Sequence, residues 1–243
     1  PRLQDLLGLL VNCICQENDT IARTGKTCFE EFLFRNGSKF EKEHWDLVIE
    51  TFERLFSLTT AKELFLLDPL REEENSDVDS LDINDLDKSL SENSKDGTCD
   101  KSTIVVKCVL QLLMIETVLE LSVKEEFYDV IPDDQLMALG KLLYRSFNFA
   151  KKFNDDYDLR VRLWNAGVIE RLPNLLKQES MSAAVFLNIM FRLYCDDRKA
   201  TSSSSKKAIM DSVVPLCYTI VKRFSDLDDV NQQKSIATWR PLI

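Results

Sequence analysis

The chain has 243 residues, 44% of them apolar and 30% charged, which suits one large folded domain or two small ones and gives enough length to bury a substantial core. Six glycines and six prolines are too few for a turn-dense β-sandwich or barrel, and no apolar run reaches the ~20 residues that span a bilayer. The net charge of −10 is concentrated in one place: Asp68 to Asp100 carries twelve acids and three bases, a net −9, which leaves −1 for the rest. The basic surface that nucleic acid requires is missing, so nucleic acid is excluded as an expected partner. Opening on Pro1 rather than Met, with no secretory signal pattern, the chain reads as an excised segment.

In chain order, Gln4 to Cys15 is densely apolar and predicts a buried helix. A second helix is predicted from Asp19 to Arg35, stopping at Asn36-Gly37, where glycine accepts a left-handed C-terminal conformation. Ser38, three residues before Glu41, has the spacing of a capping box. The helix it opens puts Trp45, Val48, Ile49, Phe52, Leu55 and Phe56 on one face. Ala61 to Leu67 predicts a short helix. Apolar content then collapses, and residues 68–101 are predicted to be an acidic disordered linker between helical repeats at 1–67 and 102–243. Within it, Ser76-Asp77-Val78-Asp79 suits an acid-directed kinase; intact-mass measurement on protein from the native cell reads that phosphate directly.

Order resumes at Ser102. Ile104 to Leu121 is apolar almost all round, as in a helix covered from several sides. Pro132, followed by Asp133 and Asp134, starts a helix that buries Leu136, Leu139, Leu143, Phe147 and Ala150. A shorter helix over 156–165 ends at Gly167. Another begins at Pro173 and runs to Tyr194. Ser202–Ser205 is predicted as a polar loop, and Lys206 to Phe224 as a helix kinked at Pro215. Amphipathic helices with short connections and no alternating strand give the expected fold: all-α, a HEAT-like or armadillo-like α-solenoid of antiparallel helix pairs.

Several motifs invite chemistry and lose it on inspection. Thr24-Gly25-Lys26-Thr27 resembles the end of a phosphate-binding loop, but Thr20 stands where that pattern needs glycine, and helix rather than strand precedes it. His44, the single histidine, sits beside Trp45 at a helix start with no nucleophile elbow in the sequence. The seven cysteines are scattered without metal-ligand spacing and read as reduced, buried thiols. No catalytic residue, cofactor or metal is predicted.

Two runs are more telling. The first is Gln16-Glu17-Asn18, Ala22-Arg23-Thr24-Gly25, Cys28, Asn36-Gly37-Ser38-Lys39-Phe40 and Trp45-Asp46. The second is Phe149-Ala150-Lys151-Lys152-Phe153-Asn154, Arg160, Leu163-Trp164-Asn165-Ala166-Gly167 and Pro173-Asn174-Leu175-Leu176-Lys177-Gln178-Glu179. Together, across Gln16–Phe65 and Val106–Asp197, they resemble the C-terminal region of the large trans-Golgi Arf guanine-nucleotide exchange factors, the Sec-seven and brefeldin-A-inhibited class. The acidic insertion and the Ser-rich stretch at 202–205 depart from that resemblance.

The resemblance implies a non-catalytic regulatory region downstream of the exchange domain. It also implies small GTPases of the Arf, Arl and Rab groups as partners, a possible homodimer, and a cytoplasmic protein in peripheral contact with the trans-Golgi membrane. Lys151, Lys152, Arg160, Arg162, Lys177, Gln178 and Glu179 are the candidate partner-binding residues, although for Arg160, Lys177, Gln178 and Glu179 bridging between neighbouring helices is the favoured role. Trp45 and Trp164 are expected to be packing anchors. A general helical scaffold or transport adaptor unrelated to Arf is the alternative function.

Overall fold

The computed structural model describes residues 2–67, 101–167, 175–199, 202–226, 228–230, 232–233 and 236. Among them the ordered elements are α1 (Arg2–Ile14), α2 (Asp19–Asn36), a 3-10 turn (Gly37–Lys39), α3 (Lys42–Thr59), α4 (Glu63–Leu66), α5 (Lys101–Val123), α6 (Glu125–Tyr128), α7 (Asp133–Asp155), α8 (Tyr157–Asn165), α9 (Leu175–Cys195) and α10 (Ser203–Ser225). No strand occurs among the described residues. The architecture is all-α and solenoid-like. α1 and α2 pair at one end, α5 lies between α3 and α9 and also touches α2 and α7, α7 and α9 form the longest pair, and α10 lies on α9. The predicted linker at 68–101 lies, apart from Lys101, outside the described residues, as does the expected start of a helix at Pro173-Asn174.

The apolar faces read from the sequence build the core. Trp45, Val48, Ile49, Phe52, Leu55 and Phe56 of α3 are all buried, as are Leu136, Leu139, Leu143, Phe147 and Ala150 of α7. All but Ala150 belong to one large cluster that runs from α1 to α10. A second, smaller cluster is formed by Ala61, Leu64, Ile104, Cys108, Phe153, Leu159, Leu163 and Leu175, beneath α8.

Inside this apolar stack runs a row of polar side chains. Thr59 donates to Gln111, Gln111 Nε2 donates to Ser146 Oγ at 3.1 Å, Gln178 Nε2 donates to the same oxygen at 3.1 Å, and Ser182 Oγ donates to it at 3.0 Å. One hydroxyl on α7 thereby links α3, α5 and α9 at one level. A buried polar atom left unpaired costs about 1–3 kcal/mol, so sliding any of these helices by a turn carries that penalty.

A clamp holds the α9–α10 connection against α6 and α7. The Tyr128 ring, fully buried, has the Arg192 guanidinium 3.6 Å from its centroid and the Lys199 ammonium at 4.9 Å. Arg192 donates to the Ser122 carbonyl at 2.6 Å and Lys199 to the Ile131 carbonyl at 2.7 Å. Burial pushes the Tyr128 phenol up to about 12, so the ring stays neutral beneath its two cations.

Several local expectations are corrected. α1 buries only Leu7, Leu10, Val11 and Ile14 and leaves Leu6 and Leu9 exposed, because its outer face has no neighbour among the described residues. Gly37 is right-handed (φ −55°) and continues into the 3-10 turn, so it is not a left-handed cap. Among the described residues the left-handed glycine is Gly167 (φ 67°), after α8. The capping box of α3 begins at Glu41 rather than Ser38, and its backbone N–H donates to His44 Nδ1 at 3.2 Å. The lone histidine thus finishes a helix end. Ser202–Ser205 is no loop: Ser202 Oγ accepts from the Ser205 N–H at 3.2 Å and caps α10, whose first turn is Ser203 to Ser205. Cys28 and Cys195 are exposed rather than buried.

The Gly25-Lys26-Thr27 run lies in the middle of α2. A β-carbon at Gly25 would lie 2.9 Å from Cys13 Cβ and 3.0 Å from the Ile14 backbone nitrogen, so glycine is what lets α1 approach. Lys26 pairs with Glu30 at 2.7 Å, and Thr27 Oγ1 donates to the Arg23 carbonyl at 3.0 Å. With its amides committed to a helix, the run has nothing to offer a phosphate.

A helix-interior Gly→Ala change normally gains about 1 kcal/mol. Here the sign reverses. Gly25→Ala is expected to lower stability by about 1–3 kcal/mol through overpacking, and urea unfolding of the two proteins measures it. A gain would mean that α1 is not seated on Gly25.

Candidate docking surface

The sequence spreads its candidate residues from Lys151 to Glu179, over the end of α7, α8 and the start of α9; the fold gathers much of that set at one edge. α7 and α9 run antiparallel, as do α9 and α10, so the end of α7, the start of α9 and the end of α10 converge, with α8 beside them. The convergence is fixed by Glu179, whose side chain is 0% exposed. Asn154 Nδ2 donates to Glu179 Oε2 at 2.6 Å, and the Arg223 guanidinium lies 3.1 Å from Glu179 Oε1 and 2.6 Å from Asp155 Oδ1. Lys151 pairs with Asp155 one helical turn away.

Burial pushes the Glu179 carboxyl above its ordinary value, against the opposing pull of the Asn154 hydrogen bond and the Arg223 charge. Gln178 is also buried, donating to Ser146. Both residues named as candidates for partner contact are therefore internal. They brace helices and present no surface to a partner. The i, i+1 run read from the sequence placed Lys177, Gln178 and Glu179 together, but successive helical positions point about 100° apart. Of the three, only Lys177 is exposed.

The remaining candidates frame an aromatic row that the sequence did not single out. Tyr157, Val161 and Trp164, at i, i+4 and i+7 of α8, are 68%, 38% and 59% exposed, while Leu159 and Leu163 on the other face are buried. Trp164 is therefore not the packing anchor expected; Trp45, 1% exposed, is. Arg160 lies with its guanidinium carbon 5.9 Å from the Tyr157 ring, and its Nε is buried with no hydrogen-bond partner. Lys152 is exposed, with its ammonium 5.2 Å from the Phe65 ring centroid; Arg162 is half-buried. Exposed Trp and Tyr beside Arg is the composition of interface hot spots.

Among the described residues no three His, Cys, Asp or Glu side chains are grouped to hold a metal ion, and no helix is long and apolar enough to cross a membrane.

A pH series tests the Glu179 brace. A carboxyl whose folded value is raised contributes its stability fully below its unfolded value, near 4.5, and loses it as pH climbs through the folded value. Wild type should therefore lose stability relative to Glu179→Gln as pH rises from about 4 to 8, read by urea unfolding. At neutral pH, Arg223→Gln should cost about 2–4 kcal/mol, since it strands a buried charge. A pH-independent difference would show that Glu179 is solvated.

Residues 109–243 match the BIG2 C-terminal domain family. The ADP-ribosylation factor guanine nucleotide-exchange factor SEC7 of Saccharomyces cerevisiae is 35% identical over 98% of this chain and 16% of its own length. The exchange factor sec72 of Schizosaccharomyces pombe is 32% identical over 99% of this chain and 14% of its own. Brefeldin A-inhibited guanine nucleotide-exchange protein 1 of Bos taurus is 26% identical over 99% of this chain and 16% of its own. The chain thus spans about one-sixth of the length of these relatives, and no solved structure matches it. With more than half its residues covered by the family model, the chain belongs to the BIG2 C-terminal domain family.

Proposed function

We propose that this chain is a non-catalytic regulatory module of an Arf guanine-nucleotide exchange factor, and that its α8 edge docks a small GTPase of the Arf, Arl or Rab groups at the trans-Golgi membrane. The observation that carries the reading is the exposed row Tyr157, Val161 and Trp164, set among Lys151, Lys152, Arg160, Arg162 and Lys177. Three apolar side chains left in water by a helix whose other face is well packed are costly unless something covers them.

Family membership supports the exchange-factor context and disfavours an adaptor unrelated to Arf. The cations at the edge would add roughly 1 kcal/mol each near an anionic bilayer, enough to favour a GTPase already held at a membrane over the same GTPase in solution. In this reading residues 68–101 serve as an acidic tether within one solenoid, and a second copy of the chain is a further partner. Regulation follows from docking, since an exchange factor held beside its membrane meets substrate at raised effective concentration.

The test is binding of the purified chain to a panel of Golgi GTPases, each loaded with GTP or GDP, with and without anionic liposomes. One GTP-loaded member should bind, and Trp164→Ala should weaken it by about tenfold or more. Lys152→Glu should weaken binding chiefly on liposomes. Binding by no member, or binding indifferent to Trp164, would refute the reading.

A further inference from the structure

The end of α10 presents a serine with charge on both sides. Ser225 is the last residue of that helix, is exposed, and its hydroxyl makes no hydrogen bond among the described residues. The run is Lys222-Arg223-Phe224-Ser225-Asp226-Leu227-Asp228-Asp229, basic before the serine and acidic after it. A terminal helical residue can be handed to an enzyme without opening a helix interior. Such a hydroxyl can accept phosphate from a serine kinase, and the two charged flanks invite kinases of opposite preference.

The fold distinguishes the two flanks. Asp226, Asp228 and Asp229, one, three and four residues after Ser225, are all exposed. Arg223 is engaged: its guanidinium lies 2.6 Å from Asp155 Oδ1 and 3.1 Å from Oε1 of the buried Glu179. A kinase that reads basic residues would have to draw Arg223 out of that brace and strand the Glu179 charge. A kinase that reads carboxylates with its own Lys and Arg finds them already in water, at the cost of no internal contact of Arg223.

We propose that Ser225 is a phosphorylation site for an acid-directed serine kinase, and that its phosphate loosens the end of α10. In the transfer Ser225 Oγ attacks the γ-phosphorus of ATP, the bond to the β–γ bridging oxygen breaks, ADP leaves, and the hydroxyl proton passes to the kinase's base. The phosphate brings a charge of about −1.5 to −2 to a helix C-terminus, where the helix dipole is already negative and three aspartates follow. Lys222, one turn back, offsets part of it, but a cation placed before an anion is the weaker helical order. Two hydrogen bonds finish this end: the Asp226 N–H donates to the Lys222 carbonyl at 2.9 Å, and Gln232 Nε2 donates to the Phe224 carbonyl at 3.2 Å. Arg223 sits in the same turn, so the loosening reaches the Glu179 brace. Neither the site nor its effect depends on what binds the α8 row.

The test incubates the whole chain with ATP and either casein kinase 2, which is acid-directed, or protein kinase A, which reads basic residues, and locates phosphate by tandem mass spectrometry. Casein kinase 2 should modify Ser225, and Asp228→Lys should slow that modification about tenfold. Hydrogen exchange is then compared with Ser225→Ala treated in parallel, which cancels phosphates placed elsewhere. Exchange over residues 222–226 should quicken about two- to fivefold, with α1 to α3 unchanged. No phosphate on Ser225, modification indifferent to Asp228→Lys, or phosphate from protein kinase A alone overturns the site. Unchanged or slowed exchange at the end of α10 overturns the loosening. Neither readout uses a GTPase, so failure here is distinct from failure of the α8 docking surface.

Discussion

The buried carboxylate of Glu179 organises this structure. Its Oε2 accepts from Asn154 on α7 and its Oε1 meets the Arg223 guanidinium on α10 as an ion pair without a hydrogen bond, so one side chain on α9 joins three helix ends. A charge so placed is expensive to desolvate and is tolerated only while both partners remain. That cost makes the geometry specific: α7, α9 and α10 must meet in one register or leave a buried ion uncompensated. Because α8 follows α7 after a single residue, the same register fixes where Tyr157, Val161 and Trp164 emerge.

A second polar device acts deeper in the stack. Ser146 collects Gln111, Gln178 and Ser182, with Thr59 beyond, and so ties α3, α5, α7 and α9 at one height. Apolar packing alone would let amphipathic helices slide past one another at modest cost. Paired polar groups in an apolar core allow few alternatives. The Tyr128, Arg192 and Lys199 clamp does the same for the connection into α10, combining cation–π contact with carbonyl acceptors. Three polar fixtures therefore hold an otherwise apolar solenoid rigid, and a rigid edge binds without first being ordered.

The fold was legible because helix periodicity is a local signal. The 3-4 spacing of Trp45 to Phe56 and of Leu136 to Ala150 needs no knowledge of neighbours. Helix ends were less legible: Ser38 has the capping-box spacing to Glu41, but it lies inside the 3-10 turn, and the cap falls to Glu41 with His44. The candidate edge was half legible. Lys152 and Lys177 are exposed and Lys151, Arg160 and Arg162 are half-buried, but burial of Gln178 and Glu179 depends on α7 and α10, which no local pattern reports. Trp164 misled for the opposite reason: a large aromatic is usually covered, and its exposure follows from Leu159 and Leu163 taking the inner face of α8. The i, i+4, i+7 spacing of Tyr157, Val161 and Trp164 could have flagged it.

A rigid α8 edge that receives a membrane-bound GTPase is the claim on which function turns. Hydrogen exchange by mass spectrometry, comparing the chain alone with the chain on liposomes carrying GTP-loaded GTPase, examines it without any substitution. Slowed exchange should appear in α8 and the adjoining ends of α7 and α9, with α1 to α3 unchanged. Protection confined to α1 to α3, or none at α8, would contradict it.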